Sequence, residues 1–429
     1  MNRRFGLAVD VGTTTLVLEL VDLETGKLAA HTSAANPQAR MGADVMTRIA
    51  HAQAAPAHVH ELHSALLNGL HALIDEALHG TATAERQTAE HARAGISDAV
   101  FVGNATMVHT LIGFDPTPLG TTPYRGALEA GWQGNAQQIG LDLPRTSVYV
   151  PPGIRSHVGA DTVAGILATD LDTGAGPALL IDLGTNSEVV LVHAGGMLCT
   201  STAAGPAFEC ASAENRLRGS QLISAVAEGL RSGSIAPSGK LAAPDDAVGQ
   251  EEIRQLQLAK AGVAAGIRVL LARAALHPTQ LEAVVLAGAF GNYLVPQDAL
   301  SIGLLPDVPA ERVHFVGNAA LAGARLLLTD STARSRAEAL AARARYIELG
   351  GHKGYGDAFV EEIPFPAARA RLLNTLSQLV GDMERQSLQR CPYRGLFDSC
   401  TFRGPCRNRV RIEPRAARCG GGPLNSSPV

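Results

Sequence analysis

The stretch LLIDLGTNSEVVLV, residues 179–192, places two apolar runs on either side of a short polar turn. Apolar runs rich in branched residues and separated by small polar residues predict a β-hairpin. Gly and Thr also occur in ordinary turns, where a positive φ or a side-chain hydrogen bond is needed. Here, however, the turn can offer backbone N–H groups and a hydroxyl to phosphate oxygens. The stretch therefore predicts a hairpin around a phosphate site.

A second copy of this hairpin lies near the N-terminus, in LAVDVGTTTLVLEL, residues 7–20. The two copies align without gaps, so that Asp10 matches Asp182 and Gly12 matches Gly184. Two further strings follow in the same order, VGADTVAGIL at residues 158–167 and VGNAALAGAR at residues 316–325, and each is typical of a helix of small residues. Repetition of this kind indicates internal duplication. We therefore expect two similar lobes that face each other across a nucleotide cleft.

The acidic residue in each turn is the candidate catalytic group and metal ligand. Asp10 and Asp182 could hold Mg²⁺ directly or through water, because this cation prefers carboxylate and water oxygens. Glu209, the one charged residue in the string at 201–209, could orient water or a cation, or could be an ordinary surface or salt-bridged residue. The candidate phosphate-binding residues are Gly12, Thr13, Thr14, Thr15, Gly184, Thr185 and Asn186.

A glycine pair follows the apolar run at residues 284–286. Gly288 and Gly291 would let the backbone lie flat against an adenine or a ribose, and Asn292 completes this candidate adenosine-binding turn. Glycine clusters most often mark turns, so this pair indicates a ligand only in combination with the duplicated hairpins.

Five strings extend the resemblance to one family. They are NPQARMGADVMTRI (36–49), VGNATMVHTLIGFDPTPLG (102–120), STAAGPAFE (201–209), LAGAFGNYLVPQDALSIGLLPD (286–307) and RYIELGGH (345–352). With the hairpins, they resemble the ATP-dependent reductive activators of corrinoid proteins, a branch of the acetate and sugar kinase, heat-shock chaperone and actin (ASKHA) superfamily. The match covers about residues 5 to 366.

This resemblance implies an α/β fold of duplicated ribonuclease-H-like lobes around a nucleotide cleft. The first lobe would be residues 1–176, with an irregular or β insertion at about 119–150 and the small-residue helix at 158–168. The second lobe would be residues 177–368, with the adenosine-type turn at 284–292 and the matching helix at 316–328. Its segment from Cys210 to Ser220 is shorter than is usual in the family. Residues 369–429 would form a largely disordered tail.

The resemblance also implies an activity and partners. The chain would bind ATP and Mg²⁺, hydrolyse ATP, and support the reduction of an inactive Co(II) corrinoid protein or corrinoid methyltransferase to Co(I). An external ferredoxin-type protein would donate the electron, and the chain would form a homodimer. Two alternatives remain open: a small-molecule kinase of the same superfamily, or a non-catalytic nucleotide-sensing protein.

Composition excludes several other classes of protein. The net charge is −4, but residues 369–429 carry eleven arginines against four acidic residues, so the body is near −11, which argues against nucleic-acid binding. We find neither an apolar run long enough for a membrane helix nor a signal peptide, and we expect a cytoplasmic protein with no membrane partner. The tail cysteines Cys391, Cys400, Cys406 and Cys419 match no common cluster spacing. An iron–sulfur cluster within this chain is therefore not expected, although a metal site, a partner-binding arm and a tail without folded function all stay open.

Two local patterns outside the hairpins also make predictions. Leucines at helical spacing from Leu62 predict an amphipathic helix that ends with Gly80 in the C′ position. His60 and His63 share one face of this helix, which could hold a metal or could simply be exposed. Further on, the strand at 99–102 runs into Gly103, where the chain either delivers polar groups to the cleft or makes a tight turn.

Overall fold

The computed structural model describes residues 4–85, 93–128, 130–155, 157–174, 176–194, 196–208, 217, 219–243, 248–288 and 294–366. Glu209, Gly291, Asn292 and the tail with its four cysteines lie outside the described residues, as does most of the segment from Cys210 to Ser220. The predictions made for those residues therefore remain predictions.

The first sheet has six strands in the order β3-β2-β1-β4-β6-β5. They are β1 (Phe5–Val11), β2 (Thr15–Asp22), β3 (Leu28–Ala35), β4 (Ile96–Gly103), β5 (Trp132–Asn135) and β6 (Ser147–Val150). Strands β1, β2 and β3 pair in antiparallel fashion, while β4 and β6 extend the sheet in parallel from β1. Residues 119–150, expected to be an irregular or β insertion, thus contribute two strands to this sheet.

The second sheet repeats five strands of this arrangement, with the order β11-β10-β7-β8-β9-β12, and its sixth strand lies at the opposite edge. Its strands are β7 (Ala178–Asp182), β8 (Asn186–His193), β9 (Gly196–Ala203), β10 (Ala283–Ala287), β11 (Val313–Phe315) and β12 (Ala344–Tyr346). Antiparallel β9-β8-β7 followed by parallel β10 and β11 has the same topology as β3-β2-β1-β4-β6. The duplicated α/β fold predicted from the sequence is confirmed.

The helices cover the sheets in three layers. They are α1 (Val45–Ala54), α2 (Pro56–Glu85), α3 (Ala105–Ile112), α4 (Ala160–Thr169), α5 (Gly219–Ser232), α6 (Gln250–Arg273), α7 (Pro296–Ser301), α8 (Ala319–Thr329), α9 (Ala333–Arg343) and α10 (Tyr355–Glu362). One core joins α2 and α3 to the first sheet, a second joins α5 and α6 to the second sheet, and a third surrounds α4 and α8 between the two sheets. None of the helices in these described ranges is long and apolar enough to cross a membrane.

Helix α2 does not end at the residue that the sequence predicted. Helix α2 continues through Gly80 to Glu85, so the assignment of Gly80 to the C′ position was wrong. An isolated glycine costs a helix only about 1 kcal/mol. The buried Ala77 and Leu78 next to it pack in the first core and outweigh that cost.

The small-residue helices α4 and α8 touch each other at their glycines. A Cβ on Gly323 of α8 would lie 2.1 Å from the carbonyl oxygen of Ala164 in α4. A Cβ on Gly165 of α4 would lie 3.6 Å from the Cβ of Ala319 in α8. Gly165 and Gly323 are the glycines that match between the two copied strings. The duplication therefore places one glycine from each lobe at the contact between the lobes.

The two hairpins differ in register by one residue. Asp10 pairs with Val17 in the first, so a gap-free match would place Val189 opposite Asp182. In the second hairpin Asp182 instead pairs with Glu188. A carboxylate directly across from another carboxylate is destabilising unless a counter-charge is present. A bound cation would relieve the repulsion between these two carboxylates.

Candidate functional site

The first loop, Val11 to Thr15, connects β1 to β2 and is held by its carbonyl groups. A Cβ on Gly12 would lie 2.4 Å from the carbonyl oxygen of Thr15, which explains why the loop needs glycine there. Asn36 donates from Nδ2 to the Gly12 carbonyl at 2.9 Å and from its backbone N–H to the Thr14 carbonyl at 2.8 Å. These bonds fix the conformation of the loop from the side of the 36–49 segment.

Arg48 supports the same loop from within the protein. Its guanidinium is fully buried and donates from Nη2 to the Thr13 carbonyl at 2.6 Å. It also donates to the Gly42 carbonyl at 2.9 Å and to Gln38 Oε1 at 3.0 Å. The planar arrangement of five N–H donors on arginine suits this set of acceptors, which a single ammonium group could not satisfy. The string at 36–49 therefore acts as the support of the first loop.

Asn104 joins α3 to the loop. Its Nδ2 donates to Thr13 Oγ1 at 2.9 Å, while its Oδ1 accepts from the Met107 N–H and caps the helix. A Cβ on Gly103 would lie 2.7 Å from the Val11 carbonyl oxygen. The turn is therefore tight and also brings a polar side chain to the first loop, whereas its contact with a ligand in the cleft remains a prediction.

The second loop, between β7 and β8, is held by the strands around it. The Thr185 carbonyl accepts from the N–H groups of Ala204 at 3.1 Å and Gly205 at 2.8 Å. Gly288 has a φ of +113°, and a Cβ there would lie 2.4 Å from the Leu183 carbonyl oxygen. Within the described residues, the geometry thus gives Gly288 a backbone role in packing against this loop, and its contact with an adenosine remains a prediction.

Four carboxylates meet at the ends of the two loops. Asp10 and Asp182 end β1 and β7, Glu188 lies opposite Asp182 on β8, and Asp161 is in the first turn of α4. Asp161 belongs to the first lobe, yet its charge acts on Asp182 and Glu188 of the second. The sequence predicted Asp10 and Asp182 and missed the other two.

The electrostatics of this cluster oppose ionisation. Burial raises the pKa of Asp10 and that of Asp182 to about 7, and repulsion from neighbouring carboxylates adds to both shifts. Burial likewise raises the pKa of Asp161 to about 6, against the hydrogen bonds from Thr162. The pKa of Glu188 is well above its usual value because of burial and repulsion by Asp161 and Asp182. A bound cation would remove this repulsion.

One contact crosses between the lobes at the cluster. Asn318 is the N-cap of α8 in the second lobe, and its Nδ2 donates to Asp10 Oδ2 of the first lobe at 2.7 Å. Because Asn318 Oδ1 accepts from the Leu321 N–H at 2.8 Å, the amide orientation is fixed and its N–H group points at Asp10. This bond lowers the pKa of Asp10 against the larger effect of burial.

The donor set fits a hard divalent cation. It consists of carboxylate oxygens from both lobes, which match the oxygen ligands that Mg²⁺ prefers. Such an ion could be held, directly or through water, by Asp10, Asp161, Asp182 and Glu188. Its positive charge would offset the negative charge of phosphate oxygens at the adjoining loops. A cavity of about 540 Å³ lined in part by Ala105, Gly159 and Ala160 includes none of the four carboxylates in its lining, so it is not the site described here.

The structure thus brings Asp10, Asp182 and their two loops to one region, in which Thr14 and Thr15 are exposed. The supporting residues that sequence reasoning missed are Asn36, Arg48, Asn104, Asp161, Glu188 and Asn318. Asp161 and Asn318 lie in the copied strings that mark α4 and α8, so the duplication itself was a usable signal for them. Glu188 could have been found only from the hairpin register.

Two family models match this chain. The model described as the RACo middle region matches residues 5–174, and the model described as the C-terminal domain of RACo, the ASKHA domain, matches residues 176–218 and 214–377. The chain is 27% identical over 426 residues to the corrinoid activation enzyme RamQ of Eubacterium limosum, covering 84% of this chain and 70% of that protein. It is 25% identical over 248 residues to the [Co(II) methylated amine-specific corrinoid protein] reductase of Methanosarcina barkeri, covering 44% of this chain and 46% of that protein.

One solved structure shows the same fold over most of the chain. The reductive activator for corrinoid, iron–sulfur protein superposes with a TM-score of 0.77 at 30% sequence identity, covering 85% of this chain and 66% of that one. This chain thus spans between about half and about 70% of the lengths of these three proteins.

Proposed function

This chain belongs to the family of RACo-type reductive activators of corrinoid proteins, and we propose from that premise that it binds and hydrolyses ATP to support reduction of a corrinoid protein from Co(II) to Co(I). The single observation that carries the proposal is the cluster of four carboxylates where the two copied loops meet. A kinase-like cleft without a cation would have no reason to keep four acidic groups in mutual repulsion.

Each part of the site has a defined role in this proposal. Asp10 and Asp182 would hold Mg²⁺, directly or through water, and the first and second loops would bind the phosphates with Thr13 and Thr185. A Mg²⁺ held there would supply positive charge beside the transferred phosphoryl group, and the two loops would position that group, so positioning and electrostatics would supply most of the catalysis. Asn318 keeps Asp10 oriented toward the interface between the lobes. Closure of the two lobes on ATP would couple hydrolysis to the partner.

Reduction of cobalt needs energy and an electron. Ordinary cellular donors reduce Co(II) to Co(I) against an unfavourable equilibrium, so ATP must drive a change between two states with different affinities for the corrinoid protein. We propose that a ferredoxin-type protein supplies the electron. Within the described residues the one cysteine is Cys199, which is buried in the core with a pKa raised to about 12, so it is a poor cluster ligand. We further propose that the active form is a homodimer in the cytoplasm.

ATP turnover measured with and without a Co(II) corrinoid protein tests the proposal. We expect the corrinoid protein to stimulate hydrolysis, and Asp10→Asn and Asp182→Asn each to abolish it. The matched control is Glu24→Gln, an exposed acidic residue in the turn between β2 and β3, which should hydrolyse ATP at the wild-type rate.

The other outcomes separate the alternatives. Stimulation by a small metabolite instead of the corrinoid protein would favour a kinase, and binding of ATP without turnover would favour a nucleotide sensor. Near wild-type hydrolysis by either Asp variant would show that the carboxylate cluster is not the reaction site. Appearance of the Co(I) absorbance only when ferredoxin and a reductant are added would support the external electron donor.

A further inference from the structure

Three side chains that can bind a metal converge where α1 ends and α2 begins. They are His51 on α1 and His58 and Glu61 on α2, and one ligand atom from each lies within 4.8 Å of the other two. His51 Nε2 is 3.0 Å from Glu61 Oε2. The rings of His51 and His58 stack with centroids 4.1 Å apart and 8° between their planes. None of the three takes part in the nucleotide site.

The hydrogen bond of His58 selects the nitrogen that can bind a metal. Its Nδ1 lies 2.8 Å from the carbonyl oxygen of His51. A carbonyl oxygen only accepts, so Nδ1 carries the hydrogen and Nε2 keeps its lone pair. Histidine ligands of metals commonly donate their other ring N–H to a carbonyl or carboxylate, which fixes the tautomer and the ring orientation. His58 can therefore bind through Nε2 when its ring or that of His51 turns out of the parallel stack, so that both lone pairs point at one ion.

The donor set identifies the class of metal. Two imidazole nitrogens and one carboxylate oxygen, with a fourth position left for water, are a common set for Zn²⁺ and also suit Co²⁺, Ni²⁺ and Cu²⁺. Ligand atoms about 2.0–2.1 Å from a tetrahedral Zn²⁺ are about 3.3 Å apart, and the 3.0 Å between His51 and Glu61 is close to that separation. Mg²⁺ prefers oxygen ligands and would not compete well here.

We propose that His51, His58 and Glu61 form a binding site for one Zn²⁺ or a related divalent transition metal. The metal would join α1 to α2 across the break at Ala55 and Pro56. Arg48 lies one turn before His51 on α1 and donates to the Thr13 carbonyl of the first loop. Metal binding would therefore hold the helix that supports that loop, and we expect it to stabilise the protein.

From the sequence, a different pair on the same helix could hold a metal or could simply be exposed. His60 and His63 have ring centroids 6.5 Å apart, and His63 Nδ1 is 2.8 Å from the Thr110 carbonyl oxygen. His63 thus fastens α2 to α3. His60 is exposed, with Nε2 3.3 Å from Ser64 Oγ, and makes a suitable control.

The test uses the full chain without a histidine tag, stripped with EDTA and kept in excess Mg²⁺ so that the carboxylate cluster is occupied. Titration with Zn²⁺ by calorimetry should show one site per chain, and Co²⁺ should give the visible absorbance of a four-coordinate ion. Zn²⁺ should also raise the melting temperature. His58→Gln and Glu61→Gln should each weaken Zn²⁺ binding by about 10-fold or more, the size of effect that changes around a metal site commonly have.

The control variant His60→Gln should bind Zn²⁺ as the wild type does. The melting temperatures of all variants without metal should match that of the wild type, and His51→Gln replaces any variant that does not fold. Binding that is unchanged in His58→Gln and Glu61→Gln, or that falls equally in His60→Gln, would overturn the site in favour of diffuse binding to surface histidines. Absence of any Zn²⁺ binding would leave His51 and Glu61 as an ordinary ion pair and would also overturn it.

Discussion

Replacing Asp182 with asparagine should stabilise the protein in a pH-dependent manner while removing its ATP turnover. Asparagine has the shape of a protonated aspartate but cannot ionise. Burial and repulsion by Asp161 and Asp10 raise the pKa of Asp182 from 3.8 to about 7. Between these pH values the folded protein holds a proton that the unfolded chain releases, so the free energy of unfolding falls as the pH rises to 7.

The expected loss of stability follows from the difference between the two pKa values of Asp182. One pKa unit corresponds to 1.36 kcal/mol, so the loss between pH 5 and pH 8 from this carboxyl alone is at most about 3 kcal/mol. Water reaches these carboxylates, which are only partly buried, and its screening makes the loss smaller. We therefore expect the advantage of Asp182→Asn over the wild type to grow by about 1–3 kcal/mol from pH 5 to pH 8.

Urea unfolding in EDTA at pH 5 and pH 8 measures this advantage. Glu24→Gln serves as the control and should show no such growth. Added Mg²⁺ at pH 8 should stabilise the wild type more than Asp182→Asn, because the ion replaces the missing counter-charge. An advantage that is the same at both pH values, or an Asp182→Asn protein that is less stable at pH 8, would refute the account of the carboxylate cluster.

Two further substitutions test the support of the loop and the contact between the lobes. Arg48→Lys should weaken ATP binding about 10-fold by calorimetry and lower the free energy of unfolding by about 2–3 kcal/mol, because one ammonium cannot replace the bonds to Thr13 and its neighbours. An unchanged affinity for ATP would refute the supporting role of Arg48. Gly323→Ala should lower the free energy of unfolding by about 1–3 kcal/mol, because the added methyl group collides with the Ala164 carbonyl. The control is Gly356→Ala at an exposed position in α10, where the methyl group meets no atom within 4 Å and should be neutral or slightly stabilising. Equal effects of these two alanine substitutions would contradict the close helix contact.

The duplicated hairpins were predictable because their information is local. Apolar runs on either side of Asp10 and of Asp182 specify strands, and the repeat makes the shared turn stand out. The register was not predictable in the same way. A difference of one residue in the turn exchanges Val189 for Glu188 opposite Asp182, and nothing in the gap-free match between the two copies reveals it.

The remaining site residues depend on contacts between distant parts of the chain. Asp161 and Asn318 reach the cluster only because α4 and α8 cross between the sheets. Arg48 reaches Thr13 because α1 folds beneath the first loop. Such contacts arise from packing between elements, so they could be inferred from the sequence only through the family resemblance or the internal repeat. The prediction that the helix ends at Gly80 was wrong for the same reason, because the packing of the buried residues beside Gly80 outweighs its local tendency to end a helix.

The crossing of α4 and α8 also constrains how the two halves of the molecule can move. A Cβ on Gly323 would collide with Ala164 at their contact, while Asp161 lies in the first turn of α4 and Asn318 caps α8, and each is close to an acidic residue of the opposite half. A rotation about this crossing point would lengthen the Asn318–Asp10 and Asp161–Asp182 separations together. Under the proposed function, a motion of this kind would change the surroundings of both phosphate-binding loops in a single step.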